Sequence, residues 1–520
     1  MSVIDFTNNV ELGYKFQGPS FYIGTAMLDK TVIKPVKINI PLATMNRHGL
    51  IAGATGTGKT KTLQSLTEAL SKAGVPTLVM DIKGDLSGIS QEGELNDKIS
   101  KRILELGIEW KPEKFPSEFL SLGGQGVKMR TTITEFGSVL LGKLMNLSDV
   151  QNAVLGLIFK YCADRNIPLL DFSDLKKVLQ YYSTPEGKKE IESEYGSVAS
   201  SSIGAITRNM IQLEEQGVGT IFGEPSFDVS DLVKLDASGK GVINIVRLMD
   251  LQSKPQLFAT FMLSLVNKIY TKFPEVGDAE KPKLCLFIDE AHLIFENADN
   301  VLLQQITTTI KLIRSKGVGI YFITQNPSDI PQSVLSQLGL KIQHSLRAFT
   351  AIDRKAIKVA SENYPISEYY QTENLLTELG IGEALITCLS EKGTPTPLAH
   401  IMVTPPTTRM DVVSDMEVQT SLNTSSMFSK YKDDINRESA EEILQLKMDQ
   451  NNTEKLRIEQ EVTAKKESEL NMKNNQKDTK NEKSVIEEIS GNHYTKIIGG
   501  VVLREISKAV MKALGFGGKK

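Results

Sequence analysis

The chain has 520 residues, and single hydrophobic cores stop growing near ~250–300 residues, so two domains or one heavily elaborated domain are expected. A composition 40% hydrophobic and 24% charged is that of a globular protein with extra polar length, which excludes a membrane-embedded or collagen-like chain. The 60 Lys and Arg against 63 Asp and Glu leave a formal charge of −3, which excludes a polycation built to coat nucleic acid but leaves a local basic channel open.

Residues 1–45 read as an N-terminal extension. From residue 46 short apolar runs alternate with helix-length segments, the layout of an α/β protein whose mostly parallel sheet is covered on both faces. Strands are predicted at Gly49–Ala52 and Thr77–Asp81. The strand signal then fades, and Thr134–Leu147, Gln151–Ala163, Phe172–Tyr181 and Ser201–Gly217 carry apolar residues at helical spacing, so 96–235 is read as a helical insertion. Strands resume at Gly241–Val246, Leu284–Ile288, Gly319–Thr324 and Lys341–His344. The pair Glu383–Leu389 and Pro397–Val403, joined through a glycine-containing turn, reads as a hairpin flanking the sheet at an edge. The core is thus assigned to 46–95 and 236–410.

After Arg409 Lys, Glu, Asn, Gln and Ser dominate, so 411–490 is expected to be a charged linker or solvated helix, partly disordered. The final stretch, 491–520, reverses the trend. Ile497, Ile498, Val501, Val502, Ile506, Val510 and Leu514 recur at three- and four-residue spacing between Lys496, Arg504, Lys508 and Lys512. Such an amphipathic helix suits packing against another protein chain, contact with a membrane surface, or a frayed tail. Cys162, Cys285 and Cys388 form neither a disulfide framework nor a CxxC pair. The first residues lack the features of a secretory leader, and the longest apolar run, around Leu257–Val266, has about ten residues where ~20 are needed to span a bilayer. A cytoplasmic location is expected.

The strongest chemical signal is Gly53-Ala-Thr-Gly-Thr-Gly-Lys59-Thr60, the pattern G-x-x-x-x-G-K-[ST] between a predicted strand and a predicted helix. Its glycines let successive backbone N–H groups and the helix N-terminus face phosphate oxygens. Lys59 neutralises β/γ oxygens, and the Thr60 hydroxyl is placed for Mg2+. The nucleotide-binding set is therefore Gly53, Ala54, Thr55, Gly56, Thr57, Gly58, Lys59 and Thr60, with Thr62 one turn on. Leu284-Cys-Leu-Phe-Ile-Asp289-Glu290 supplies two carboxylates at a strand end: Asp289 for the metal shell and Glu290 to polarise the attacking water. The competing reading is an acidic cap on the next helix. Gln325, at the end of another apolar strand, is a γ-phosphate sensor or a loop-starting amide before Pro327. Arg314 and Arg347 flank that strand, and either one reaches a phosphate or is a solvated surface group. Asp81-Ile-Lys-Gly-Asp85 either lines the same crevice or is a polar turn. The five histidines show no paired-ligand spacing, which argues against zinc, and no Ser/His/Asp or Cys/His set stands out.

Asn46–Thr60, Gly196–Ala205, Asp289-Glu-Ala-His-Leu293, Leu312–Pro327 and Gly382-Glu-Ala-Leu385, taken in order, resemble the YjgR-type branch of the HerA/FtsK ATPases. The similarity runs over about residues 10–410 and stops before the tail after Arg409. It implies a RecA-like P-loop NTPase core, ATP with Mg2+ as cofactor, and a homo-hexameric ring with each nucleotide between subunits. It puts Lys59 and Thr60 on the phosphate and metal positions, Asp289 and Glu290 on the metal and water-activating positions, Gln325 on the sensor, and Arg314 on the arginine acting in the neighbouring subunit. About 45 residues precede the P-loop, too few for the β-barrel that HerA helicases carry ahead of their motor. A double-stranded DNA translocase or helicase-type motor is the expected function. A ring ATPase acting on protein and a nucleotide-gated scaffold docking a partner through its C-terminal helix are the alternatives.

Overall fold

Continuous apolar runs become the central strands of one large sheet. The computed structural model describes residues 3–251, 254–277, 279–296 and 300–481, and the amphipathic helix expected over 491–520 lies outside them. The chain divides into two units, 1–445 and 446–520. The first contains strands β1 (Ser20–Leu28), β2 (Thr31–Pro41), β3 (Gly49–Ala52), β4 (Thr77–Asp81), β5 (Ser117–Ser121) and β6 (Val127–Lys128). It continues with β7 (Ile243–Arg247), β8 (Leu284–Ile288), β9 (Val318–Thr324), β10 (Leu340–Gln343), β11 (Glu383–Thr387) and β12 (Ala399–Val403). All belong to a 12-stranded sheet ordered β2-β1-β12-β11-β10-β3-β9-β8-β4-β7-β5-β6. From β10 to β6 every neighbouring pair is parallel. On the other side β10, β11, β12, β1 and β2 run antiparallel to one another in turn.

Every residue of β3, β4, β8 and β9 is buried, as expected for strands covered on both faces. Between β8 and β9 the rings of Phe287 and Tyr321 stack with centroids 4.8 Å apart, and the Tyr321 hydroxyl donates to the Met45 carbonyl. Three features differ from expectation. The hairpin β11–β12 is not at an edge: β12 pairs with β1 (Gly24 opposite Val403), and residues 20–41 form the outer two strands. Their turn is Asp29-Lys30, both at positive φ (46° and 62°), a tight-turn geometry that usually advertises itself with glycine or asparagine. Second, β5 and β6 lie inside the segment read as a helical insertion, extending the parallel side through β7. Third, the helix expected over Thr134–Leu147 is two, Ile133–Phe136 and Ser138–Leu144, split at Gly137 with φ 83°. The helices Asp149–Asp164, Phe172–Tyr182, Pro185–Tyr195 and Ser200–Glu215 follow.

The two sheet edges are of different kinds. On β2, Lys34, Pro35 and Lys37 are exposed or half-exposed, while at the other edge β6 is 2 residues long. Past β12 the helices Asp415–Thr424 and Ser426–Tyr431 complete the first unit. The helix Ala440–Asn481 carries the chain into the second, where residues 452–470 expose their side chains and pairs such as Arg457 with Glu461 (3.2 Å) run along one face.

His48, just before β3, is buried and held on both ring nitrogens. The Ile320 amide donates to Nδ1 (3.0 Å), which leaves Nε2–H to donate to the Ile310 carbonyl (2.8 Å). Burial pushes its pKa down to about 4, the Ile310 hydrogen bond opposing and the Arg314 charge assisting. The unfolded chain takes up a proton near pH 6.5 that the folded chain refuses until about pH 4, so this group makes stability fall as the pH drops between those values. Replacing it by glutamine, His48→Gln, should flatten the pH dependence of the unfolding free energy in that window by about 1.4 kcal/mol per pH unit. Parallel urea-denaturation curves for the two proteins at every pH would refute the assignment.

Candidate active site

β3 lies between β10 and β9, and β9, β8 and β4 follow side by side, so the chain leaving β3 crosses two strands before it re-enters the sheet as β4. The carboxyl ends lie within two residues of one another. Ala52 is opposite Thr324, Phe322 opposite Ile288, and Ile288 opposite Met80. Asp81, the last residue of β4, and Gly53, Gln325 and Asp289, the residues after β3, β9 and β8, therefore lie at the ends of four neighbouring strands on one rim, where open α/β sheets bind ligands.

The P-loop is suspended between the ends of β9 and β10. The Gly53 amide donates to the Thr324 carbonyl (3.2 Å) and the Ala54 amide to Ser345 (2.8 Å). Two glycines are steric requirements. Gly53 has φ 151° and a Cβ there would lie 2.5 Å from the His344 Cβ; Gly58 has φ 116° with the Gly382 backbone 3.2 Å from a Cβ position. The helix Lys59–Lys72 starts directly after the loop, with first-turn amides that have no partner inside the helix. Lys59 is buried and folds back over the loop, donating from Nζ to the Gly53 carbonyl (2.6 Å) and the Ala54 carbonyl (3.2 Å). Burial lowers its pKa, the nearby Lys83 charge lowers it further, and Glu290, Asp289 and Asp85 oppose. The Thr57 hydroxyl donates to the Ala54 carbonyl (2.7 Å), closing the loop.

Four carboxyls gather at this rim, one of them facing into its own turn. Asp81 is fully buried, accepting from the Gly84 amide (2.7 Å) and the Leu86 amide (3.2 Å), which shapes the Ile82–Asp85 turn. Burial and then the Asp85 charge push its pKa up to about 7. Burial and then Glu290 push Asp289 up to about 6. The Thr60 hydroxyl donates to Asp85 Oδ2 (3.3 Å), while Asp85 Oδ1 is buried with no hydrogen-bond partner. Glu290 is buried in the left-handed region at φ 47°, its Oε1 paired with Lys83 Nζ and its Oε2 3.2 Å from His292 Nδ1. Accumulating acids in a buried crevice is unfavourable unless cations join them, and a phosphate-bound divalent ion meets that need.

Gln325 is exposed and borders the loop on the β9 side, where Thr55 Oγ1 lies 3.5 Å from its Oε1. Arg347 also reaches the loop, donating to the Thr55 carbonyl (3.2 Å). Arg314 is not brought to this loop: it is exposed before β9 begins, near His48 at the amino ends of the strands. The Thr62 hydroxyl is tied to His344 Nε2 (2.9 Å), and His344 Nδ1 to the Glu383 carbonyl (2.8 Å). His344 therefore braces both the loop, through Gly53, and the helix. Sequence reasoning passed over His344 and His292, neither of which has ligand spacing, and left Lys83 and Asp85 undecided. The one available signal was a charged run directly after the buried strand β4.

Beside the loop is a cavity of about 220 Å³ lined by Gly58, Lys61, Thr62, Gly382, Pro406 and Met410 among others. Its outer wall is the strap Thr404–Met410 that follows β12. Glu68, on the P-loop helix, fixes the strap by accepting from the amides and hydroxyls of both Thr407 and Thr408, and Gln64 adds a bond to the Arg409 carbonyl (2.8 Å).

The helicase HerA-like C-terminal family model matches residues 27–520. The chain belongs to this family of P-loop ATPases. The HerA match continues past Arg409, where the recognisable motifs end, so the tail is part of the family's extent. The DNA double-strand break repair helicase HerA of Saccharolobus solfataricus is 23% identical over 368 residues, covering 70% of this chain and 66% of that protein. The protein of the same name from Sulfurisphaera tokodaii is 25% identical over 378 residues, covering 70% and 67%. The chain thus spans about two thirds of the length of these HerA relatives. The bacterial conjugative coupling protein TrwBΔN70, in a trigonal form with sulphate, has the same fold, with a TM-score of 0.50 at 14% identity over 77% of this chain and 92% of that one. Among the described residues of this HerA-family chain no helix is long and apolar enough to cross a membrane.

Proposed function

We propose that the protein is an ATP-hydrolysing motor that uses Mg2+ and, as a homo-hexameric ring, moves along double-stranded DNA. The observation carrying this reading is the meeting of Lys59, Asp289, Glu290 and Gln325 on one rim of four adjacent strands. The DNA half rests on the family and on HerA relatives named as DNA repair helicases.

Lys59 leaves the Gly53 and Ala54 carbonyls for β/γ oxygens, and the loop amides from Thr55 to Thr60 take the remaining phosphate charge. The residues present fit a magnesium ion: the Thr60 hydroxyl, Asp289, and the buried orphan oxygen of Asp85 lie at the loop, and such an ion keeps most of its sphere for phosphate and water. When bound it neutralises charge developing on the transferred phosphoryl group. Glu290 takes a proton from the water that attacks the γ-phosphorus, as the bond to the ADP oxygen breaks and phosphate leaves. Gln325 senses the γ-phosphate. The cavity behind Gly58 takes the nucleoside, with Thr62 at its mouth. Arg314, remote from its own loop, serves the site of a neighbouring subunit. Contact of the tail with protein or with a membrane surface concerns residues beyond those described.

Steady-state ATP hydrolysis, measured alone and with duplex DNA, single strands or unfolded protein, together with native mass, tests the reading. Duplex should stimulate turnover, and the stimulation should weaken steeply between about 50 and 200 mM salt, as phosphate contacts require. Turnover indifferent to DNA and salt would remove the DNA half. Stimulation by polypeptide alone would make the protein a ring ATPase acting on protein, and tight ATP binding without turnover would make it a nucleotide-gated scaffold.

A further inference from the structure

Glu290 receives a proton from water in the reading above, yet its two buried oxygens, which make no aligned hydrogen bond, each have a nitrogen beside them. Oε1 is held by the Lys83 ammonium and Oε2 faces His292 Nδ1 at 3.2 Å. While Lys83 stays there, Oε1 faces an ammonium group and not a water molecule. Glu290 is 8% exposed at its side chain and lies in the turn two residues past β8, so it has little room to move away. Lys83 is the mobile partner. Its side chain is 39% exposed, and it stands in the turn after β4 whose backbone Asp81 fixes through the Gly84 and Leu86 amides. Its charge is felt by Lys59, so two ammonium groups already lie close together with no anion but the carboxylates between them. A γ-phosphate beside Lys59 is an anion placed to compete with Glu290 for Lys83.

We propose that Lys83 is a positioning residue that latches Glu290 when no γ-phosphate is present and releases it by transferring its ammonium to the γ-phosphate of ATP. The latch rests on the ATPase reading above and adds a reason why that site stays idle with ADP or with nothing bound. Binding ATP breaks one ion pair and forms another, whereas ADP leaves the pair intact.

Calorimetric titration of the full chain with the β,γ-imido analogue of ATP and with ADP, each with Mg2+, tests it in wild type, Lys83→Ala, Lys83→Arg, Glu290→Gln and the Lys83→Ala/Glu290→Gln double variant. Lys83→Ala should bind the triphosphate analogue roughly tenfold or more weaker, the loss of one charge-assisted contact, with ADP affinity within about twofold of wild type. Lys83→Arg should restore most of the discrimination. Glu290→Gln should bind the analogue tighter than wild type, since no pair has to be broken, and removing Lys83 as well should abolish that gain. Wild-type discrimination between the two nucleotides in Lys83→Ala, or additive effects in the double variant, would overturn the latch alone. Failure of the wild-type chain to bind either nucleotide would overturn the ATPase reading and the latch with it.

Discussion

Lys59→Ala should lower ATP affinity at least about a hundredfold, a loss of about 3 kcal/mol, while the melting temperature stays within a few degrees of wild type. The two halves of that expectation have separate causes. Lys59 Nζ is the buried cation within reach of the loop carbonyls Gly53 and Ala54, and it is the group those carbonyls surrender to phosphate. Truncation leaves the phosphate cradle without its central charge. Folding depends little on it, because the loop is anchored by backbone bonds from Gly53 to Thr324 and from Ala54 to Ser345 that the substitution does not touch. Equilibrium binding of a fluorescent ATP analogue beside a thermal melt reads both. Affinity within about threefold of wild type would show that the loop does not hold the triphosphate.

Glu290→Gln should do the converse: ATP stays bound and turnover falls by about 10²–10⁴, the range of a lost general base. The glutamine keeps the shape of the side chain and a contact to His292 but cannot accept a proton from water. Rapid mixing with one equivalent of ATP, followed by filtration, should recover unhydrolysed ATP with the protein. Turnover close to wild type would remove Glu290 from the chemistry and leave it as a structural partner of Lys83.

How much was legible beforehand follows from the physics of each element. β4 and β8 were read to the residue and β3 with them, since strands buried on both faces need unbroken apolar runs and these end in Asp81, Asp289 and the P-loop glycines. Residues 20–41 were invisible as strands. β1 mixes Ser, Gly and Thr with apolar residues, β2 carries Lys34 and Pro35, and their Asp29-Lys30 turn lacks glycine. β5, Ser-Glu-Phe-Leu-Ser, is no unbroken apolar run, and β6 is only 2 residues long. At the site, spacing motifs found the groups that touch phosphate, because that chemistry dictates residue types at fixed intervals. They did not find His344, His292 or Lys83. These act by contact across the fold, 282 residues apart for His344 and Thr62, and no local pattern encodes such a meeting.

The borders of the sheet bear on how copies of this chain can associate. A β-strand border with free amides and carbonyls invites another chain to add to it, and here one border is interrupted by proline and lysines and the other is a stub. Neither can template an intermolecular ladder. In the proposed ring, copies would therefore be joined by side chains on helices and loops, contacts that can slide or loosen without unzipping the framework of a neighbour.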